Sequence, residues 1–452
     1  MNTCSNTLRT LDRRGFLQRT AAGFGWLAFA ALNARLAQAA GPLAPKKPHF
    51  TARAKRVIFL FMQGGPSHLD TFDWKPELAR TGKGGPHQPL GSVIPFQPRG
   101  KSGLMISDVF PRLSEHADEL CLLNGMQTNT NSHVQATIAL HTGSENFVRP
   151  SMGAWITYGL GTLAEDLPGF VTIDPTHDQG GAMNYGSAFL PAAYQGSRLN
   201  ASGAGVPNVA NRTLLAGDQR RQLDFIQQLN RGLLAKQPGQ PEIEGVIESF
   251  ELAHRMQTSI PGVIDASDEP ASIQQLYGIG NRVSDRFGAQ CLLARRLAEK
   301  GVRFIQLTHP GWDHHNNLRQ GLTDRAASID QPIAGLLTDL KQRGMLDDTL
   351  VVWGGEFGRS PGDDKGDGNG RGHHGRGYTM WMAGGGVKGG QRYGATDEMG
   401  DIAVEGKMDI QDLHATILHL LGLDHEALTY NYAGRDFRLT NVSGKVARAI
   451  LS

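Results

Sequence analysis

Apolar residues follow two rhythms along this chain. Val57-Ile58-Phe59-Leu60-Phe61-Met62 is an unbroken apolar run that stops at Gly64-Gly65-Pro66. A run without polar alternation predicts a strand covered on both faces. Over 286–300, Phe287, Cys291, Leu292 and Leu297 form a helical stripe that ends at Gly301 and leads into the strand-like segment 302–307. Ile333, Leu336, Leu337 and Leu340 mark another helix, and Thr349–Trp353 and Tyr378–Met382 read as two more strands. Leu413, Ile417, Leu420 and Leu421 share one face of a C-terminal helix running from Asp409 towards Gly422. Such alternation predicts an α/β fold, a mostly parallel sheet with helices on both faces. Between 195 and 280 the pattern changes to polar helices carrying Leu223, Phe225, Ile226 and Leu229, then Ile243, Ile247, Phe250 and Leu252. This stretch reads as a helical insertion packed on the sheet.

Residues 1–39 have another character. Arg13-Arg14-Gly15-Phe16-Leu17 precedes a mildly apolar stretch from Ala21 to Leu32, too short to span a bilayer. Ala37-Gln38-Ala39 then supplies the small side chains that a signal peptidase accepts. The segment resembles a twin-arginine export signal, which predicts a periplasmic or cell-envelope protein with no transmembrane segment in the mature chain. Residues 40–56 read as a linker and 57–452 as the folded domain.

Composition narrows the chemistry. At 452 residues and 39% apolar, the chain can bury a large core. Lys+Arg 45 nearly balance Asp+Glu 43, and loss of 1–39 removes five Arg and one Asp, leaving 40 basic and 42 acidic residues. No basic block resembles a nucleic-acid footprint, so no nucleic-acid partner is expected. The 3 Cys lack the paired spacings of thiolate zinc sites or a disulfide framework, so a metal would be held by nitrogen and oxygen. Cys121 and Cys291 sit in apolar contexts and read as core thiols.

The polar clusters lie close to predicted strand ends: His309–Asn317 after one strand, Gly354–Arg359 after another, and Arg371–Gly375 before a third. In an open α/β sheet the carboxyl ends of the strands form the ligand crevice. Of 16 His, five fall between 309 and 374. Imidazole with carboxylate suits a divalent ion, zinc first, with calcium, magnesium or manganese as alternatives. The expected ligands are Asp313, His315 and His374, with Glu356 as a fourth. His68 and Asp70 read either as ligands or as part of a helix cap, with Ser67 in the N-cap role. His133 and His141 fit a helix face turned to the crevice. Trp155, Trp312, Trp353 and Trp381 fit either a sugar cleft or, as is commoner for Trp, the core.

Six ordered motifs carry a resemblance: Gln63–Asp73, Arg149–Trp155, Asn184–Ser187 with Phe189–Pro191, Gly311–Asp313, Gly355–Arg359 and His374–Gly386. Together they resemble the family labelled domain of unknown function 1501, exported bacterial proteins placed in the alkaline-phosphatase and sulfatase superfamily. The resemblance implies an alkaline-phosphatase-like fold and in-line attack on phosphorus or sulfur assisted by one or two divalent ions. Gln63 stands where that superfamily carries a first-strand Asp, Glu356-Phe357 replaces its Asp-His pair, and Asn129 falls at the nucleophile position. One of two metal sites is therefore expected to be degraded, with Asp313, His315 or Asn317, and His374 near the other. Arg359 or His133 would then stabilise the anion. The reading that follows is an exported metal-dependent hydrolase of sulfate or phosphate esters. Its alternative is a non-catalytic envelope scaffold that binds an anionic polysaccharide.

Overall fold

The computed structural model describes residues 42–164, 166–201, 216–236, 241–363 and 368–452; the expected signal at 1–39 lies outside them. The main sheet contains β1 (Arg56–Gln63), β2 (Leu120–Gln127), β3 (Phe170–Ile173), β4 (Ser197–Leu199), β5 (Phe304–Pro310), β6 (Thr349–Gly354), β7 (Tyr378–Ala383), β8 (Gln391–Tyr393) and β9 (Met408–Asp409). Their order is β8-β2-β7-β6-β1-β5-β3-β4, with β9 also on β2. Every pairing is parallel except those of β7, which runs against both β6 and β2. The sheet is thus mostly parallel, as the continuous apolar runs predict, with one reversed strand inside it.

Strand alternation assigns the helices to two layers. The odd face of β1 meets α1 (His133–Thr142), whose His141 ring lies 5.7 Å from Phe59 and 4.7 Å from Phe61. On that face Gly153 of α2 (Met152–Leu160) lets the backbone settle against Phe170 and Phe304. On the other face, His309 of β5 contacts Phe287 of α5 (Asp285–Glu299) and Ser328 of α6 (Leu318–Gln342). The insertion contributes α3 (Ala216–Lys236) and α4 (Pro241–Ile264); Leu252, Met256, Ile260 and Val263 of α4 are its buried stripe. The stretch expected as insertion from 195 nevertheless begins with β4, which pairs with β3 as an edge strand of the sheet.

The C-terminal helix α7 (Ile410–Leu420) starts at a capping box built by Asp409 and Asp412. Trp155, Trp312, Trp353 and Trp381 are all core residues, at most 1% exposed. Residues 42–56 are no loose linker: Lys46 N–H donates to Leu160 O, and Arg53 and Ala54 N–H to Leu420 O. Cys121 and Cys291 are free and buried. No helix among the described residues is long and apolar enough to cross a membrane.

Candidate functional site

The carboxyl ends of β1, β5, β6 and β2 deliver the site. They lead into Gly64-Gly65, Gly311-Trp312-Asp313, Gly355-Glu356 and the loop before α1. Because β7 is reversed, its beginning lies at this edge, and the preceding His373-His374 pairs antiparallel with Gly358-Arg359. Gly64 lets the loops close. Its φ is +117°, and a Cβ there would stand 2.7 Å from Asp313 N and 2.8 Å from Trp312 N.

Glu356 is fully buried. Its carboxylate accepts the Gly64 N–H at 3.0 and 3.2 Å and lies 2.5 Å from Nδ1 of His133, on the first turn of α1. The other ring nitrogen of His133 lies 3.3 Å from Asp313 Oδ2. It is buried and makes no hydrogen bond of good geometry. His373 Nε2 is 3.1 Å from Asp313 Oδ1, and His315 Nε2 is 3.1 Å from that oxygen and 2.8 Å from His373 Nε2. One ligand atom each of His133, Asp313 and His373 lies within 4.8 Å of the others. Nitrogen and oxygen donors so placed fit a divalent cation.

Charge reinforces the cluster. Burial alone would raise the Asp313 carboxyl; His133, His373 and the Arg359 guanidinium outweigh it and hold it well below the usual carboxylate range. Burial would lower His133, yet the Asp313 and Glu356 carboxylates raise it to about 9. Arg359 is itself buried and committed. It donates to Asp313 Oδ1 at 2.6 Å, to Gly64 O at 2.5 Å, to Gly65 O at 2.8 Å and to Arg371 O at 3.2 Å. It ties the loops together through these acceptors.

Asp313, His315, Glu356 and His133 therefore come together, whereas two expected residues do not. Adjacent side chains on a strand point to opposite faces, so His374 turns away from the cluster and places Nε2 3.1 Å from Asp401 Oδ1. His373, not singled out in the sequence, takes the inward position opposite Arg359. Asn129 is exposed in the loop after β2 and lines a separate cavity. Asn317 is the αL residue before α6, at φ +49°.

Four other candidates have structural roles. Asp70 is fully buried and forms a two-point ion pair with buried Arg371, at 2.7 and 3.2 Å. Ser67 precedes a short 3-10 turn (His68–Asp70) but donates to Asp70 Oδ2 instead of capping a backbone N–H. His68 is buried against Gly400 O at 2.9 Å, its pKa lowered by burial to about 4. His141 packs under the sheet, about 12 Å along the helix axis from His133 at 1.5 Å per residue.

A strand-end crevice holding imidazole and carboxylate groups defines a candidate metal centre on an α/β scaffold. The chain belongs to the DUF1501 family, described as proteins of unknown function, whose model matches residues 54–451. Comparison with curated proteins finds no match. Similar solved structures include the lipoteichoic acid synthase LtaP from Listeria monocytogenes, 11% identical over 88% of this chain and 78% of that one, TM-score 0.39. Alkaline phosphatase from the Antarctic bacterium TAB5 is 12% identical over 82% of this chain and 99% of that one, TM-score 0.37. The PsFucS1 sulfatase from Pseudoalteromonas sp. is 14% identical over 84% of this chain and 69% of that one, TM-score 0.37. None of these three reaches a TM-score of 0.5, so the chemistry of the site rests on its own side chains.

Proposed function

We propose that this protein is an exported, single-ion hydrolase of sulfate or phosphate esters, working in the periplasm or cell envelope. The observation that carries the proposal is the convergence of His133, Asp313 and His373, one ligand atom of each lying within 4.8 Å of the others. His133, Asp313 and His373 would hold the ion, with His315 beside them. Multiple imidazoles favour zinc over calcium, magnesium or manganese, which prefer oxygen. A divalent ion supplies Lewis acidity towards an ester oxygen and neutralises charge that builds there.

The chain's own groups do the rest. Glu356 fixes the His133 ring through Nδ1, a common way of orienting a ligating imidazole. Arg359 fixes Asp313. His315 Nε2, 16% exposed as a side chain, is placed to hold or pass a proton at the crevice. The Phe357 ring packs 4.7 Å from that of His133 and 4.8 Å from that of His373. Phenyl cannot ligate, which supports one ion instead of two. The Arg13-Arg14 leader supports export.

A second reading, a metal-holding scaffold without catalysis, is favoured by the commitment of Arg359 and by the placement of Asn129 outside the cluster. Elemental analysis of protein purified without chelator, beside a His373→Ala variant, separates the outcomes when paired with aryl sulfate and aryl phosphate assays. The hydrolase reading expects about one ion per chain, its loss in the variant, and turnover only in the parent. Metal without turnover leaves the scaffold; no metal in the parent overturns both.

A further inference from the structure

We infer that a second site, distinct from the histidine cluster, binds an anionic saccharide unit between Arg149, Arg435 and the ring of Phe437. A cavity of about 410 Å³ lies here, and neither His133, Asp313 nor His373 lines it. Its walls come from the end of α1, from 143–150 and from the chain around Arg435–Leu439. Pockets of a few hundred cubic ångströms accommodate small organic ligands.

Two cations meet there without neutralisation. The Arg149 guanidinium lies 4.3 Å from the Phe437 ring centroid, and that of Arg435 4.8 Å from the same ring. Neither forms an ion pair with a carboxylate among the described residues; Arg435 donates to Asn441 Oδ1 at 3.1 Å. Arg438 is occupied by Glu426 at 3.2 Å. Burial and the nearby Arg435 both push Arg149 below its ordinary pKa, so the pair repels. Of the two acids in the wall, Asp409 is engaged by Gln127 at 2.8 Å and caps α7, leaving Glu145. A cation over an aromatic ring at an exposed site gains only about 0.5–1 kcal/mol. An oxyanion accepting from both guanidiniums is the stronger complement.

The rest of the wall points to a sugar carrying that anion. Phe147, 65% exposed at the rim, offers a flat apolar face, and Arg149 lies 5.4 Å from it. Thr128, Asn129 and Asn146 supply hydroxyl and amide groups of the kind that pair with sugar hydroxyls. The inference does not depend on hydrolysis at the histidine cluster.

Isothermal calorimetry on the full chain tests it, with the 6-sulfated chondroitin disaccharide, the unsulfated chondroitin disaccharide, cellobiose and inorganic sulfate as probes. Both anionic disaccharides should bind, and cellobiose and inorganic sulfate should bind at least tenfold more weakly. Arg149→Gln should weaken the disaccharides at least tenfold, whereas His373→Ala should leave the unsulfated disaccharide, which carries no sulfate or phosphate ester, bound as in the parent. Arg435→Gln, on an exposed hairpin, gives the same test if Arg149→Gln misfolds by circular dichroism. The inference is overturned by equal binding of cellobiose, by inorganic sulfate binding as tightly as the disaccharides, by no binding of either disaccharide, by indifference to both Arg changes, or by loss of the unsulfated disaccharide in His373→Ala.

Discussion

His373 and His374 differ by one position and by everything that matters for binding an ion. One faces Asp313 and the other Asp401, because pleating sends neighbours to opposite faces. His374→Ala should therefore keep the metal content of the parent while His373→Ala loses it; equal loss in both by elemental analysis would show that this register is wrong. Asp70 and Arg371 illustrate a different role for charged residues. Each is fully buried, and together they pin the first loop to the segment beyond β6. Arg371→Leu strands a buried carboxylate, for which about 3–5 kcal/mol of destabilisation is expected, read as a lower urea midpoint. Asp313, His315 and Glu356 were recognisable because each follows an apolar run. Nothing in a single sequence distinguishes the two histidines of 373–374, since a two-residue strand carries no periodicity.

Strands with continuous apolar runs, β1, β5, β6 and β7, stand where the pattern puts them. The loop after β1 shows what joins them into a site. Gly64 approaches the backbone of Trp312 and Asp313 more closely than any side chain allows, at a φ that disfavours all other residues. Gly64→Ala should both destabilise the fold by about 1–3 kcal/mol and separate Asp313 from Glu356. Thermal unfolding and metal content should fall together in that variant; retention of stoichiometric metal would count against the placement of the loop. The reversal of β7 is not visible in its sequence, because a strand buried on both faces reads alike in either direction.

Across the molecule, several imidazoles are buried as neutral rings. His141 and His414 have pKa values lowered to about 4, and His309 to about 3, burial being the first cause in each. Each would titrate near 6.5 when unfolded, so the unfolded chain binds more protons between those values and stability falls as pH drops through that window. About 1–2 kcal/mol per ring by pH 5 is the expected size, checked by urea unfolding at pH 7.5 and pH 5; an unchanged midpoint would mean the rings are charged or solvated in the fold.

Periodicity was enough to establish the layered α/β class, because burial follows from residue type and local spacing. Strand order, the direction of β7, the choice of His373 over His374 and the gathering of Arg149 with Arg435 emerged only in the folded chain. These depend on contacts between segments hundreds of residues apart, whose geometry is set by how buried surfaces fit and not by any short stretch of sequence.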